Sequence, residues 1–364
     1  MRLLVINGPN LDLLGTREPE VYGSTTLADL DDQVTKWGSD MGIEVETEQS
    51  NRESRIIDLI HVFDGDGIVL NAGALTHTSR AVADAIKGVD VPVVEVHISN
   101  IHERESWRAK SVIAEACVRS IYGRGITGYR DAMRHLLNRS AVPLEIVRYG
   151  PHPDNIGDLR RNGGDLVVLA HGGLWRREHE RDTTESLAVD LARHGYSSWN
   201  IEYRRVGAGG GWPASAHDVL TALDFVPQLG LASEHVIIVG HSAGAHLAMW
   251  AAPRSATEVL LQVALGPILD LTAMSESDGV GAGDCRRMLE QGAPGRASPD
   301  SVLTAIVHGD ADQIVPVEQS IQFADEHGIE HHRTDTDHFS LLDPSQPEWS
   351  WVIKRMGSAH DPTG

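Results

Sequence analysis

LLVI (Leu3–Ile6), then Leu27, Leu30, Val34, Trp37 and Met41 at spacings of three and four, then IEVETEQ (Ile43–Gln49): this succession decides the fold class. The first run is short, apolar and bounded by polar residues, the pattern of a buried strand. The second is one face of an amphipathic helix, with Ser24, Thr25 and Thr26 before it as candidate N-caps. Strand, helix and strand in that order make a βαβ unit. GIVLN (Gly67–Asn71), VPVVEVH (Val91–His97) and CVRSIY (Cys117–Tyr122) are three further strands, with helices over residues 52–63, 78–87 and 126–137. Five such units predict an α/β domain with a small, doubly wound parallel sheet.

After a short connection, LNRSAVPL (Leu137–Leu144), a second alternation begins. DLVVLAHGG (Asp165–Gly173), SSWNIEYR (Ser197–Arg204), HVIIVGHS (His235–Ser242), VLLQVALG (Val259–Gly266) and LTAIVHGD (Leu303–Asp310) read as strands between helical stretches. The two halves are not repeats of one unit. A chain of 364 residues fits two domains, read here as 1–140 and 145–357.

With 41% hydrophobic residues both domains can bury full cores, and the net charge of −21 argues against a nucleic-acid partner. Cys117 and Cys285 make neither a disulfide framework nor a zinc pattern, so no metal is expected. The short apolar run at the N-terminus is not a signal peptide, and no run spans a membrane. The expectation is a cytoplasmic protein with small-molecule substrates, no cofactor and no membrane partner.

In an open α/β sheet, ligands sit outside the carboxyl ends of the strands. Asn7 and Asn10 follow the first strand, NAGALTH (Asn71–His77) the third, and EVHIS (Glu95–Ser99) closes the fourth. Each asparagine alone is an ordinary turn former; together these residues make a site. GRGITG (Gly123–Gly128) fits a dinucleotide pattern, but it follows the last strand of its domain and lacks the acidic partner about twenty residues on.

INGPNLDLLGTREPEVYG (Ile6–Gly23), NAGALTHTSRAVADAI (Asn71–Ile86) and EVHISNIHERESWR (Glu95–Arg108) resemble the type II 3-dehydroquinate dehydratases, over about the first 137 residues. The resemblance implies a flavodoxin-like fold, a dodecamer built from trimers, and loss of water from 3-dehydroquinate to give 3-dehydroshikimate. That step serves both the shikimate pathway of aromatic amino acid biosynthesis and quinate catabolism. It implies Tyr22 as the base that takes a proton beside the ketone. Free tyrosine has a pKa of roughly 10, and the guanidinium of Arg17 nearby favours the phenolate. It implies Asn10 as stabiliser of the enolate through an ordered water, and His97 as the acid. Glu95, two residues earlier on the same strand, faces the same side and can orient the imidazole. Asn71, Ile98 and Ser99 would hold the substrate carboxylate, and His77, Arg108 and Asp84 the ring hydroxyls, Asp84 from a neighbouring subunit.

VIIVGHSAGAHLAMWAA (Val236–Ala252) carries G-x-S-x-G at Gly240–Gly244 between an apolar strand and an apolar helix, the context of a nucleophile elbow. HGDADQIVP (His308–Pro316) ends a strand with Asp310 and Asp312, and DTDHFSLLDP (Asp335–Pro344) supplies His338. Ser242, Asp312 and His338 follow the Ser, acid, His order of α/β-hydrolases, with Asp310 the rival acid. In LAHGGLW (Leu169–Trp175) the N–H groups of Gly172 and Gly173, with that of Ala243, would form an oxyanion hole. This half resembles the α/β-hydrolase superfamily, in particular small HGG-loop esterases and the kynurenine formamidase-like group. The resemblance implies hydrolysis of a small ester or amide, and hence a bifunctional chain; the alternative is a dehydratase carrying a catalytically silent hydrolase scaffold. The Gly-rich YRRVGAGGGWPAS (Tyr203–Ser215) reads either as the pocket mouth or as a flexible surface loop.

Overall fold

The computed structural model describes residues 1–16, 23–232, 235–298 and 302–359. Arg17 and Tyr22 lie outside the described residues. The chain divides into two compact units, Met1–Ala141 and Val142–Gly364.

In the first unit β1 (Arg2–Asn7), β2 (Glu44–Gln49), β3 (Gly67–Asn71), β4 (Val93–His97) and β5 (Arg119–Tyr122) form one sheet in the order β2-β1-β3-β4-β5. Every pair is parallel. The chain winds outward from β1 in both directions, so β1 and β3 flank the switch point, where a flavodoxin-like sheet opens a crevice. β3 and β4 are buried throughout, which explains their continuous apolar runs. α1 (Leu27–Asp40) starts at Thr26, whose hydroxyl accepts from Asp29 N–H while the Asp29 carboxylate accepts from Thr26 N–H. This capping box satisfies two orphan donors, and Leu30 and Val34 carry the buried face. α2 (Glu53–Val62), the short α3 (Leu75–Thr78), α4 (Arg80–Lys87) and α5 (Thr127–Ala141) complete the unit. α5 runs four residues past its predicted end and takes up most of the stretch read as a connection.

Among the described residues the second unit has eight strands where five were predicted. They are β6 (Glu145–Arg148), β7 (Ile156–Arg160), β8 (Leu166–Ala170), β9 (Ser197–Ile201), β10 (Val236–His241), β11 (Val259–Leu265), β12 (Thr304–Gly309) and β13 (Glu330–Thr334). Their order is β13-β12-β11-β10-β8-β9-β7-β6. β7 is antiparallel to both its neighbours, and the pairs from β9 to β13 are parallel, which makes an α/β-hydrolase sheet. The unread edge strands β6 and β13, EIVR and EHHRT, are polar and largely exposed. Edge strands carry such residues to discourage further pairing, so they lack an apolar signal. α6 (Glu185–Arg193), α7 (Ala214–Phe225), α8 (Ala243–Ala251), α9 (Leu271–Glu276), α10 (Ala282–Glu290), α11 (Glu318–His327) and α12 (Pro347–Gly357) follow in chain order. Among the described residues no helix is long and apolar enough to cross a membrane.

Candidate active sites

In the first unit the ends of β1 and β3 meet in register, Asn7 beside Asn71. The loops beyond them touch so closely that a Cβ on Gly8 would lie 2.7 Å from the Ala72 carbonyl carbon. Gly73 has φ +55°, and a Cβ there would meet the Pro9 carbonyl oxygen at 2.8 Å. Tyr129 of α5 ties the two ends together. Its hydroxyl donates to Asn7 Oδ1 at 2.7 Å and accepts from Asn71 Nδ2 at 2.9 Å. The remaining Asn71 oxygen accepts from Gly73 N–H at 3.2 Å.

This ring of bonds floors a cleft whose wall includes Asn10, Asn71, His77, His97, Ile98, Ser99 and Arg108. Leu14, Ile101 and Arg104, given no role by the sequence, also line it. Asn10 stands in the left-handed region at φ +68° and its N–H donates to Asn51 Oδ1 at 2.7 Å. Asp84 is exposed on α4 and is not part of the wall.

His97 and Glu95 are both buried, and His97 Nε2–H donates to Glu95 Oε1 at 2.8 Å. Ser111 and Ser120 also donate to that carboxylate, at 2.7 and 2.6 Å. Burial works to raise the pKa of Glu95, but the bonds from His97, Ser120 and Ser111 outweigh it and hold the carboxyl below its ordinary range. Glu95 is thus an anion that orients the His97 ring. The His77 ring lies 6.4 Å from that of His97, and its Nδ1–H donates to the Lys110 carbonyl at 2.9 Å. Burial, with the charges of His97 and Arg108, lowers its pKa and favours the neutral ring. Arg108 stacks on Trp107 at 4.3 Å and pairs with Glu105 at 3.0 Å. The glycine run after β5 has a structural use: Gly123 N–H donates to the His97 and Ser99 carbonyls, and Gly125 N–H to that of Ile98, fixing the backbone at the end of β4.

In the second unit Ser242 sits between β10 and α8 at φ +51° and ψ −117°. A non-glycine residue holds such a conformation only where its surroundings impose it. A Cβ on Gly240 would lie 2.5 Å from Ala245 Cα, and one on Gly244 would lie 2.2 Å from the carbonyl oxygens of Ala170 and His171. Both glycines of G-x-S-x-G are therefore required by backbone contact. Gly244→Ala is expected to lose about 1–3 kcal/mol of stability through overpacking, which a thermal melt checks.

His338 Nδ1–H donates to Asp312 Oδ2 at 2.6 Å. The same oxygen accepts from His308 Nε2–H at 3.1 Å, and Asp312 Oδ1 accepts from Ile314 and Val315 N–H, each at 2.8 Å. Burial favours the neutral acid, but four donors overcome it and hold Asp312 well below the usual carboxylate range. A depressed native pKa stabilises the fold fully above the unfolded value and loses that contribution as pH falls through the folded one. Asp312→Asn is expected to flatten the acid side of the stability curve, which thermal melts from about pH 3 to pH 7 would reveal. Asp310 instead pairs with Arg333 at 3.0 Å on the surface.

The elbow and the histidine loop are joined through His241, whose Nε2–H donates to the His338 carbonyl at 3.1 Å. Gly172 backs onto the elbow, since a Cβ there would lie 3.0 Å from Ser242 Cβ. Ala243 opens α8, so its N–H has no partner within the helix. The 203–215 segment is pinned rather than loose: Arg204 makes a two-pronged pair with Asp218, Gly211 N–H donates to Ser215 Oγ, and Trp212 N–H to Gln291. Arg176 beside the HGG loop pairs with Asp284 of α10 at 2.7 Å. Tyr129, Ser111, Ser120 and the Arg176–Asp284 pair carried no signal in the sequence, because each reaches its partner across other elements; His308 lies only four residues before Asp312, but nothing in the motif marked it. Among the described residues no cluster of His, Cys, Asp or Glu could hold a metal.

Residues 1–137 match the family described as dehydroquinase class II, and residues 159–270 match the family described as BD-FAE. The second match includes Gly172 and Ser242 and ends before Asp312 and His338. The chain is 49% identical over 136 residues to a 3-dehydroquinate dehydratase of Thermotoga maritima, covering 37% of this chain and 94% of that protein. It is 50% identical over 136 residues to a catabolic 3-dehydroquinase of Aspergillus oryzae, covering 37% and 89%. Among solved structures, a truncated carbohydrate esterase from gut microbiota covers 59% of this chain and 94% of its own, with 16% identity and a TM-score of 0.51. An inhibited esterase B from Lactobacillus rhamnosis covers 63% and 90%, with 20% identity and a TM-score of 0.52. At these identities the likeness shows the fold of the second unit. Through its first 137 residues the chain belongs to the class II dehydroquinase family, and it continues into a unit with the α/β-hydrolase fold.

Proposed function

We propose that the chain carries two activities: the first unit dehydrates 3-dehydroquinate to 3-dehydroshikimate, and the second hydrolyses a small ester or amide. The observation that carries the first is the cleft at the β1/β3 switch point. There the Glu95–His97 pair faces Asn71, His77, Ile98, Ser99 and Arg108 in a chain whose relatives are dehydratases of this type. In this reading Tyr22, with Arg17 beside it, removes the proton next to the ketone. Asn10 stabilises the enolate, and His97 protonates the departing hydroxyl on the opposite face, an anti elimination. Asn71 and the backbone at Ile98 and Ser99 hold the carboxylate, while His77 and Arg108 hold ring hydroxyls. Appearance of the conjugated product's ultraviolet absorbance on mixing protein with 3-dehydroquinate is the test; no absorbance with folded protein would sink the reading.

Asp84, exposed and outside the wall, is proposed to complete a neighbour's cleft within a dodecamer of trimers. Light scattering on the full chain is expected to give a dodecamer. A stable monomer with full dehydratase activity would remove Asp84 from the site.

For the second unit the supporting observations are the His338–Asp312 bond, the strained backbone of Ser242, and the bond from the neighbouring His241 to the His338 carbonyl. Ser242 attacks the carbonyl carbon, His338 takes its proton, Asp312 orients His338, and Gly172, Gly173 and Ala243 N–H groups receive the oxyanion. Cleavage of a short activated ester, and of an aryl ester of quinate, by wild-type protein tests the reading. The alternative of a silent scaffold would be supported by folded protein that leaves every such ester and a fluorophosphonate probe untouched.

A further inference from the structure

Directly before the HGG loop's glycines stands His171, fully buried. Both of its ring nitrogens face acceptors. Nδ1 lies 2.7 Å from the Gly172 carbonyl oxygen, and Nε2 lies 2.7 Å from Glu202 Oε1. A carbonyl can only accept a hydrogen bond, so Nδ1 bears a proton. A carboxylate likewise only accepts, so Nε2 bears one too, provided Glu202 is ionised. Glu202 pairs with Arg205 at 3.4 Å and Arg181 at 3.9 Å, and accepts from Arg181 and Tyr203 N–H at 3.0 and 3.2 Å. Burial pushes its pKa up, but Arg205, His171 and Arg181 override that and hold it an anion. Tyr203 covers the flat of the ring, with centroids 4.3 Å apart and planes 10° from parallel, and its hydroxyl donates to the His171 carbonyl at 2.7 Å. An aromatic face suits a cationic ring. From β10, His241 faces the same region; burial, with the charge of His338, keeps its pKa well down, so it adds no competing charge.

We propose that His171 is a buried imidazolium which, held by Glu202, clamps the Gly172 carbonyl and so sets the peptide whose N–H belongs to Gly173. The peptide is planar and trans, so a carbonyl fixed toward His171 sends the Gly173 N–H the opposite way. A positive ring on the carbonyl also polarises that N–H and makes it a better donor. This rests on the oxyanion-hole role proposed above for Gly173. His171 is then a positioning residue that acts through the peptide without touching substrate. The loop needs such a clamp because Gly173, Leu174 and Trp175 run consecutively at φ +109°, +53° and +57°, a sequence of left-handed residues that does not hold itself.

A neutron structure of the full chain in heavy water at neutral pH reads the proton positions directly. Deuterium on both His171 nitrogens is expected; deuterium on one overturns the proposal, whatever the hydrolase does. In parallel, Glu202→Gln, which removes the anion and keeps the shape, is expected to lower kcat for ester cleavage about tenfold or more with KM little changed. A trifluoromethyl ketone, which forms the tetrahedral oxyanion, should lose affinity by the same factor. His171→Gln, with an uncharged donor, is expected to recover part of the rate relative to His171→Leu. Unchanged kcat and inhibitor affinity in folded Glu202→Gln would overturn the positioning role. Wild-type protein that cleaves no ester would instead overturn the hydrolase reading, while the neutron density still decides the charge of His171. Should Glu202→Gln fail to fold, the wild-type neutron structure carries the test.

Discussion

Ser242→Ala is expected to lower ester hydrolysis by about 10⁶-fold, to the background left by the oxyanion hole, with dehydration of 3-dehydroquinate unchanged. The size of the effect follows from the unit the residues form. In the proposed triad His338 has a proton to take only if Ser242 supplies it, and Asp312 acts only by orienting His338. Removing the serine therefore idles all three. The substitution subtracts only an oxygen at a site where the strained φ of +51° is already imposed by contacts of Gly240 and Gly244. The elbow is expected to keep its shape, and a melting temperature equal to wild type would show that the loss is chemical. Retention of more than a few per cent of the rate would point to another nucleophile. The same pair of proteins, offered a caffeoyl ester of quinate beside a short activated ester, locates the substrate. Serine-dependent release of quinate would place the hydrolase upstream of the dehydratase, separated from it by one oxidation of an alcohol to a ketone.

Tyr22→Phe is expected to reduce dehydration by about 10³- to 10⁴-fold with KM little altered, the loss typical of a positioned general base. Phenylalanine keeps the ring and removes only the group that ionises. Ester hydrolysis is the internal control and should not change. Glu95→Gln is expected to act on the other proton transfer: an amide cannot accept from His97, Ser111 and Ser120 together as the carboxylate does, so the His97 ring loses its fixed orientation and kcat should fall with KM little changed. A Tyr22→Phe protein with normal kcat would assign the base elsewhere, and His77, 6.4 Å from His97, would be the next residue to change.

How much of this was legible in one dimension depended on how locally each feature is specified. The βαβ opening was readable because Leu30 and Val34 lie on one helix face and Thr26 with Asp29 caps it, all within fifteen residues. The elbow was readable for the same reason: strand, Gly240, Ser242, Gly244 and helix are contiguous. In the sequence only the D-x-x-V-P spacing of Asp312–Pro316 favours Asp312 over Asp310; in the structure Arg333 of β13 holds Asp310 at the surface, while His308 and His338 converge on Asp312. The edge strands β6 and β13 were missed because polar edge residues carry no period that a buried strand would impose, and the short interior β7 because its identity lies in the two strands it pairs with.

What the sequence determined by itself was the class of each half, the order of its motifs and the residue types at the strand ends, because hydrophobic period, capping and glycine positions are local constraints on the backbone. What only the tertiary structure decided was how those ends are held. Tyr129 bridges Asn7 and Asn71, Ser111 and Ser120 saturate Glu95, His308 shares Asp312 with His338, and Glu202 faces His171. Each is a buried polar group whose desolvation must be offset by a partner. Apart from His308, four residues before Asp312, those partners come from other elements, at distances in the chain set by topology, so no local pattern could announce them.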